Sequence, residues 1–177
     1  MNDYILTYTG RRMFLANPQP HMIDLADIAH ALARIGRFTG HGDRFLSVAQ
    51  HCVHVSKLCP LSRSRWGLLH DATEAYLGDV STPLKRTLRG EGLACLYDGL
   101  QETWQLAISK RFQVQIADVK KWDIISLLTE VRDNGPRGED PWTWFPGYEP
   151  DSRPIEPWTT DRAEAEYLDL ARKLEIK

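Results

Sequence analysis

Ser47-Val48-Ala49-Gln50-His51-Cys52-Val53-His54-Val55-Ser56-Lys57-Leu58-Cys59 is the stretch on which the fold turns. Val48, Cys52, Val55 and Cys59 recur at helical spacing and form one apolar stripe. Ser47, followed three residues later by Gln50, reads as a capping box that opens a helix running to about Cys59. His51 borders the stripe, an imidazole where packing alone would favour an aliphatic side chain.

Helical signals continue in both directions. Upstream, Asp24 can cap a helix carrying Ile28, Ala29, Leu32 and Ile35 and ended by Gly36, and residues 37–44 form a polar loop. Downstream, residues 64–77 read as a helix stopped by Gly78, and Ser81-Thr82-Pro83 as a turn that starts a further short helix. Residues 91–111 and 116–132 both show helical periodicity. Asp161 opens a last amphipathic helix to about Leu174, with Ala165, Leu168 and Leu174 among its apolar positions. Residues 4–9 are β-branched and aromatic and stop at Gly10, as a short strand or hairpin arm would, while residues 17–21 read as loop. The segment 134–158 is rich in proline, glycine and tryptophan. It reads as an irregular wrap whose Trp142, Trp144 and Phe145 need a surface to pack on. The expected class is mainly α with a minor β element, in a single domain over residues 1–177.

Composition narrows the function classes. The 177 residues are 42% hydrophobic and 26% charged, the balance of an ordinary globular protein. A net charge of -2 offers no general attraction to nucleic acid, so a partner that is a nucleic-acid polymer is not expected. Cys52, Cys59 and Cys95 lack metal-site or redox spacing, which fits a reducing setting with Cys52 as core filler. No leader pattern and no apolar stretch of spanning length is present, so no membrane partner and a cytoplasmic location are expected.

The chemistry lies in charged groups set on apolar faces. Projected as a helix, residues 116–132 place Ile116, Val119, Leu127 and Val131 on one face with Asp123 in its middle and Glu130 close beside it. A carboxylate there is costly to desolvate unless a metal ion or a buried Arg or Lys compensates it. Helix 64–77 offers His70 and Glu74 one turn apart, with Asp71 adjacent. A lone His at a helix edge, or a lone Asp on an apolar face, is more often a hydrogen-bonded or ion-paired residue than a ligand. Three helices with such an intrusion are explained together by one metal, since neutral imidazole and ionised carboxylate are ligands for a divalent ion. Two His and two Asp leave positions open for water and substrate, as a catalytic site requires.

The order His51, His70-Asp71, Asp123 resembles the H…HD…D signature of the HD phosphohydrolase superfamily. Ser47 to His51, Leu68 to Asp79 and Ser81 to Lys85 are similar to the small HD enzymes that act on deoxynucleotides, bacterial 5′-deoxynucleotidases and phage dATP triphosphohydrolases among them. The resemblance covers roughly residues 24–132 and leaves the opening Tyr8-Thr9-Gly10-Arg11-Arg12 and the 134–177 wrap and helix unexplained. It implies an HD-domain helical bundle with His51, His70, Asp71 and Asp123 on a divalent metal (Co2+, Zn2+, Mn2+ or Mg2+). Attack on the α-phosphate would use Glu74 as general base, with Asp79 placing water or substrate. Arg37 would bind the α-phosphate, Phe38 (Trp in the family pattern) would pack on the deoxyribose, and Lys85 would give a second phosphate contact. His54 and His30 are expected to be structural, and Glu130 either supports the metal site or pairs with a core Arg.

Small size, the aromatic tail and the opening motif lean toward the phage-like group. The expected reaction is therefore dATP or dNTP to deoxynucleoside plus triphosphate, in the host cytoplasm if phage-encoded. The resemblance also implies a homo-oligomer. One alternative is a 5′-deoxynucleotidase releasing phosphate from a dNMP. Another is a metal-stabilised regulatory module without turnover.

Overall fold

In the computed structural model, which describes residues 4–138 and 145–177, the chain is mainly helical with one small two-stranded sheet. Strands β1 (Tyr4–Leu6) and β2 (Arg12–Phe14) pair antiparallel with Ile5 opposite Met13. Gly10, at φ 81°, closes the hairpin in a conformation that disfavours a side chain. Residues 17–21 are not wholly irregular, because Pro20–Met22 forms a single 3-10 turn.

Helix α1 (Leu25–Leu32) opens at Asp24, whose Oδ1 accepts from the Ala26 amide at 2.9 Å. It ends short of the expected Gly36, which instead bridges to Ser47 and seats the start of α2 (Val48–Leu58). Ser47 caps α2 by accepting from the Gln50 amide at 3.1 Å. The other half of the capping box does not form. Gln50 spends its side chain on the C-terminal segment, donating to Glu156 O at 2.8 Å and accepting from the Trp158 amide at 2.8 Å.

The helix expected over 64–77 is two helices, α3 (Leu61–Leu69) and α4 (Glu74–Leu77). Between them the backbone tightens to i→i+3 bonds, with Ala72 N to Leu69 O and Glu74 N to Asp71 O both 2.9 Å. His70 contributes by placing Nδ1 2.8 Å from Gly67 O, so that carbonyl is engaged by a side chain. Gly78, at φ 77°, ends α4 as expected. Then follow α5 (Thr82–Gly90), capped by Ser81, and the long α6 (Ala94–Phe112).

Helix α7 (Lys120–Asn134) begins four residues later than the periodicity suggested. Asp118 explains the delay, since its Oδ1 takes the Lys120 amide at 3.0 Å and leaves Ile116 outside the helix and 40% exposed. The buried residues of α7 are Ile124, Ser126, Leu128, Thr129, Glu130 and Asn134, not a face centred on Asp123. Helix α8 (Thr160–Lys173) is capped by Thr159 rather than Asp161, and it buries Ala163, Tyr167 and Ala171 while Ala165 is exposed.

Helix α2 is central, packing against α1, α3, α7 and α8. The core around it includes Ile28, Leu32, Val48, Cys52, Val55, Trp66, Leu68, Leu69, Trp104, Ile108 and Tyr167. Trp104 stacks on Tyr76 with ring centroids 4.4 Å apart, and Tyr167 donates its hydroxyl to Leu68 O at 2.9 Å. The segment 145–159 is irregular as expected and is stitched to α7 by side chains: Thr129 accepts from the Asp151 amide, Asp133 from the Ile155 amide, and Asn134 donates to Ile155 O. Trp158 packs against the core and Phe145 is half-buried, whereas Trp142 and Trp144 lie outside the described residues. Among the described residues no helix is long and apolar enough to cross a membrane.

Candidate metal centre

The packing of α2 against α3 and α7 brings His51, His70 and Asp71 together, with one potential ligand atom from each lying within 4.8 Å of the others. Asp71 Oδ2 is 3.2 Å from His70 Nε2 and 3.5 Å from His51 Nε2. Asp123 approaches His51 from the first turn of α7, its Oδ1 3.4 Å from His51 Nε2. Its side chain is 23% exposed, so it sits at the rim of the site, and its other oxygen holds Lys120 Nζ at 2.8 Å.

Each imidazole has its proton placed by the opposite ring nitrogen. His51 Nδ1 is 2.5 Å from Glu130 Oε1, and His70 Nδ1 is 2.8 Å from Gly67 O. Neither partner can donate, so both Nδ1 atoms carry the hydrogen, and in the neutral ring both Nε2 atoms present a lone pair. These two Nε2 atoms are buried without a hydrogen-bond partner. Lone pairs facing carboxylate oxygens repel unless a positive charge, a proton on Nε2 or a metal ion, lies between them. Tetrahedral ligands about 2.1 Å from an ion stand roughly 3.4 Å apart, and the spacings of 3.2, 3.4 and 3.5 Å fit that arrangement. His51, His70 and Asp71 can therefore hold a metal ion, with Asp123 positioned beside them.

The electrostatics point the same way. Burial opposes a charge on His70, but Asp71 outweighs it and raises its pKa well above the ordinary value. Burial and Arg37 oppose a charge on His51, yet Glu130 and Asp123 raise it. Burial would push Asp71 and Asp123 up, but the two imidazoles hold both carboxyls far below the usual range. The cluster thus attracts positive charge, whether as protons or as a metal ion.

Glu130 joins the two alternatives open at the level of sequence. It is fully buried, its Oε1 serves His51, and its Oε2 accepts from Arg37 Nε at 2.9 Å. Arg37 therefore leaves only its Nη end for a substrate and also packs over the Phe38 ring at 5.8 Å. Phe38 (φ 57°), Thr39 (φ 54°) and Gly40 (φ 80°) are three successive residues in the left-handed region. Such strain, roughly 1–3 kcal/mol for each non-glycine residue, collects where a loop is held for function. Two hydrogen bonds hold it here, Arg37 N to Leu46 O at 2.8 Å and His41 N to Phe38 O at 3.0 Å.

Glu74 is buried with Oε2 unpartnered, and burial, Asp71 and Asp79 push its carboxyl up to about 9 against the pull of Arg37 and Lys85. Asp79 and Lys85 are thus close enough to act on Glu74 through charge, and Lys85 also lies 5.6 Å over the Tyr97 ring. Ser126 and Lys120 also belong to the site, and neither stands out in the sequence. Their only signal was spacing on α7, Ser126 one turn before Glu130 and Lys120 three residues before Asp123.

A mainly helical protein with a partly buried His/His/Asp cluster able to hold a metal is the class that fold and site define. No family model matches the chain. It is 38% identical over 136 residues to the uncharacterized protein YfdR of Escherichia coli (strain K12), covering 75% of this chain and 73% of that one. The chain belongs to the family of YfdR. It is also 43% identical over 101 residues to an uncharacterized protein of Rhodobacter capsulatus, covering 52% of this chain and 51% of the relative.

Proposed function

We propose that this protein is an HD-type, divalent-metal-dependent phosphohydrolase that cleaves deoxynucleotides at the α-phosphate, with dATP or another dNTP as substrate. The observation that carries the reading is the pair of orphaned, buried Nε2 atoms on His51 and His70, both aimed at carboxylates. A divalent ion held there by His51, His70, Asp71 and Asp123 would supply a Lewis acid for a phosphate oxygen and make a bound water acidic.

The chain's own residues do the rest. Glu74 takes the proton from the attacking water. Burial first, then Asp71 and Asp79, raise its proton affinity so that it holds a proton in the metal-free site, and a bound cation, by offsetting Asp71, would free it to act as the base. Arg37, Lys85 and Lys120 furnish positive charge for phosphate oxygens around the cluster. Phe38, presented by the left-handed loop beside Arg37, packs on the sugar. Asp79 orients water or substrate beside Glu74.

A panel of dNMPs and dNTPs with Co2+, Mn2+, Zn2+ or Mg2+ tests the reading. The expected products from dATP are deoxyadenosine and triphosphate. Phosphate release from dAMP with dATP left intact would replace the triphosphohydrolase by a 5′-deoxynucleotidase. Metal binding without turnover of any nucleotide would replace the enzyme by a regulatory module.

A further inference from the structure

One turn along α2 from His51, His54 has Nδ1 2.8 Å from Ser126 Oγ and Nε2 3.4 Å from Asp151 Oδ2. Ser126 Oγ lies in turn 2.8 Å from Glu130 Oε1 and 3.2 Å from His51 Nδ1. Five side chains from α2, α7 and the C-terminal segment thus form one chain of contacts that ends on a candidate ligand.

Proton counting gives the chain a direction. A serine hydroxyl has one hydrogen. Glu130, facing Arg37, is an acceptor only, so the Ser126 hydrogen goes to Glu130. The His51 Nδ1 hydrogen is already committed to Glu130. Ser126 must then accept from His54, which puts the His54 hydrogen on Nδ1. The opposite tautomer would forfeit the 2.8 Å bond from Ser126 to Glu130 in order to serve a 3.4 Å contact to Asp151. Asp151 is already held by Arg153 Nη2 at 2.7 Å, so the short bonds decide the tautomer.

We infer that His54 is a positioning residue for the metal centre, acting through Ser126 to lock Glu130 onto His51 and so keep His51 Nε2 turned toward the ion. The inference rests on the metal reading of His51. With His54 donating, the Ser126 hydroxyl cannot turn its hydrogen away from Glu130. Without it, only the bond to Glu130 Oε1 fixes the hydroxyl, and this second donor to Glu130 is held less firmly.

The test is Co2+ titration of the full chain, read as a dissociation constant and as the visible absorption spectrum of the bound ion. His54→Leu is expected to weaken Co2+ binding about 10-fold and to alter the spectrum, the lower end of what partners of metal ligands contribute. His54→Asn, whose amide nitrogen can take the place of Nδ1 as donor, is expected to bind within about 3-fold of wild type. Ser126→Ala is expected to lose at least as much as His54→Leu, and the double variant no more than Ser126→Ala alone. Ser126→Ala removes little volume, so it carries the test if His54→Leu does not fold. Wild-type affinity in a folded His54→Leu or Ser126→Ala variant would overturn the inference while leaving the metal reading standing. Equal damage in His54→Asn and His54→Leu would also overturn it. A wild-type chain that binds no Co2+ would overturn the metal reading itself, and this inference with it.

Discussion

Glu130 and His51, on helices α7 and α2, meet in a 2.5 Å contact inside the core, and that contact decides which way the imidazole faces. The same carboxylate holds Arg37, so one buried charge organises both a candidate ligand and a candidate phosphate-binding residue.

Replacing Glu130 by Gln keeps the volume and removes the charge. Breaking one member of a buried pair costs about 3–5 kcal/mol, so Glu130→Gln is expected to shift the urea midpoint down by that equivalent. Burial would raise the Glu130 carboxyl, yet Arg37 and His51 lower it from 4.5 to about 2. A depressed folded-state value contributes stability that is present above pH 4.5 and lost as pH falls toward 2. Acid titration of stability is expected to show a shallower fall over that window in Glu130→Gln, and an unchanged slope would contradict the pairing.

Glu74 has the opposite sign. Burial first, then Asp71 and Asp79, raise it from 4.5 to about 9. Its contribution to stability is complete below pH 4.5 and is lost as pH rises through about 9. Metal-free protein is therefore expected to lose thermal stability between pH 4.5 and about 9, and Glu74→Gln to resist that loss. The same variant is expected to lower turnover by at least about 100-fold, as removal of a general base does. Melting curves in chelator and rates with metal check the two halves separately.

Gly67 supports the site through backbone. A methyl group there would meet Ser56 Cα at 3.0 Å and Cys59 Sγ at 3.1 Å, so α3 would have to move away from α2. Overpacking of this kind costs about 1–3 kcal/mol. Because the Gly67 carbonyl receives His70 Nδ1–H at 2.8 Å, Gly67→Ala is expected to lower both the melting temperature and metal affinity. A fall in melting temperature with wild-type metal affinity would show that His70 is oriented by something else.

Helix α2 was legible because its apolar stripe and Ser47 cap agree with each other and with its central place in the core. Helix α7 was legible in type but not in face. Asp118 took the Lys120 amide and shifted the start, which put Asp123 in the first turn, and the buried residues proved to include Ile124, Leu128 and Glu130 rather than Asp123. The buried carboxylate was the neighbouring Glu130, whose partners Arg37 and His51 are remote in sequence. Periodicity cannot reveal such pairs, because it records spacing within one element and not what packs across from it. The break between α3 and α4 was hidden for a related reason. His70 bonds the Gly67 carbonyl with its side chain, and nothing in helical spacing signals that choice.

The most direct measurement is the divalent metal content of the purified chain beside that of Asp71→Ala, with helicity followed by circular dichroism. The wild type is expected to carry bound metal and Asp71→Ala to lose it while the helices persist. Unchanged metal content in a folded Asp71→Ala variant would contradict that expectation.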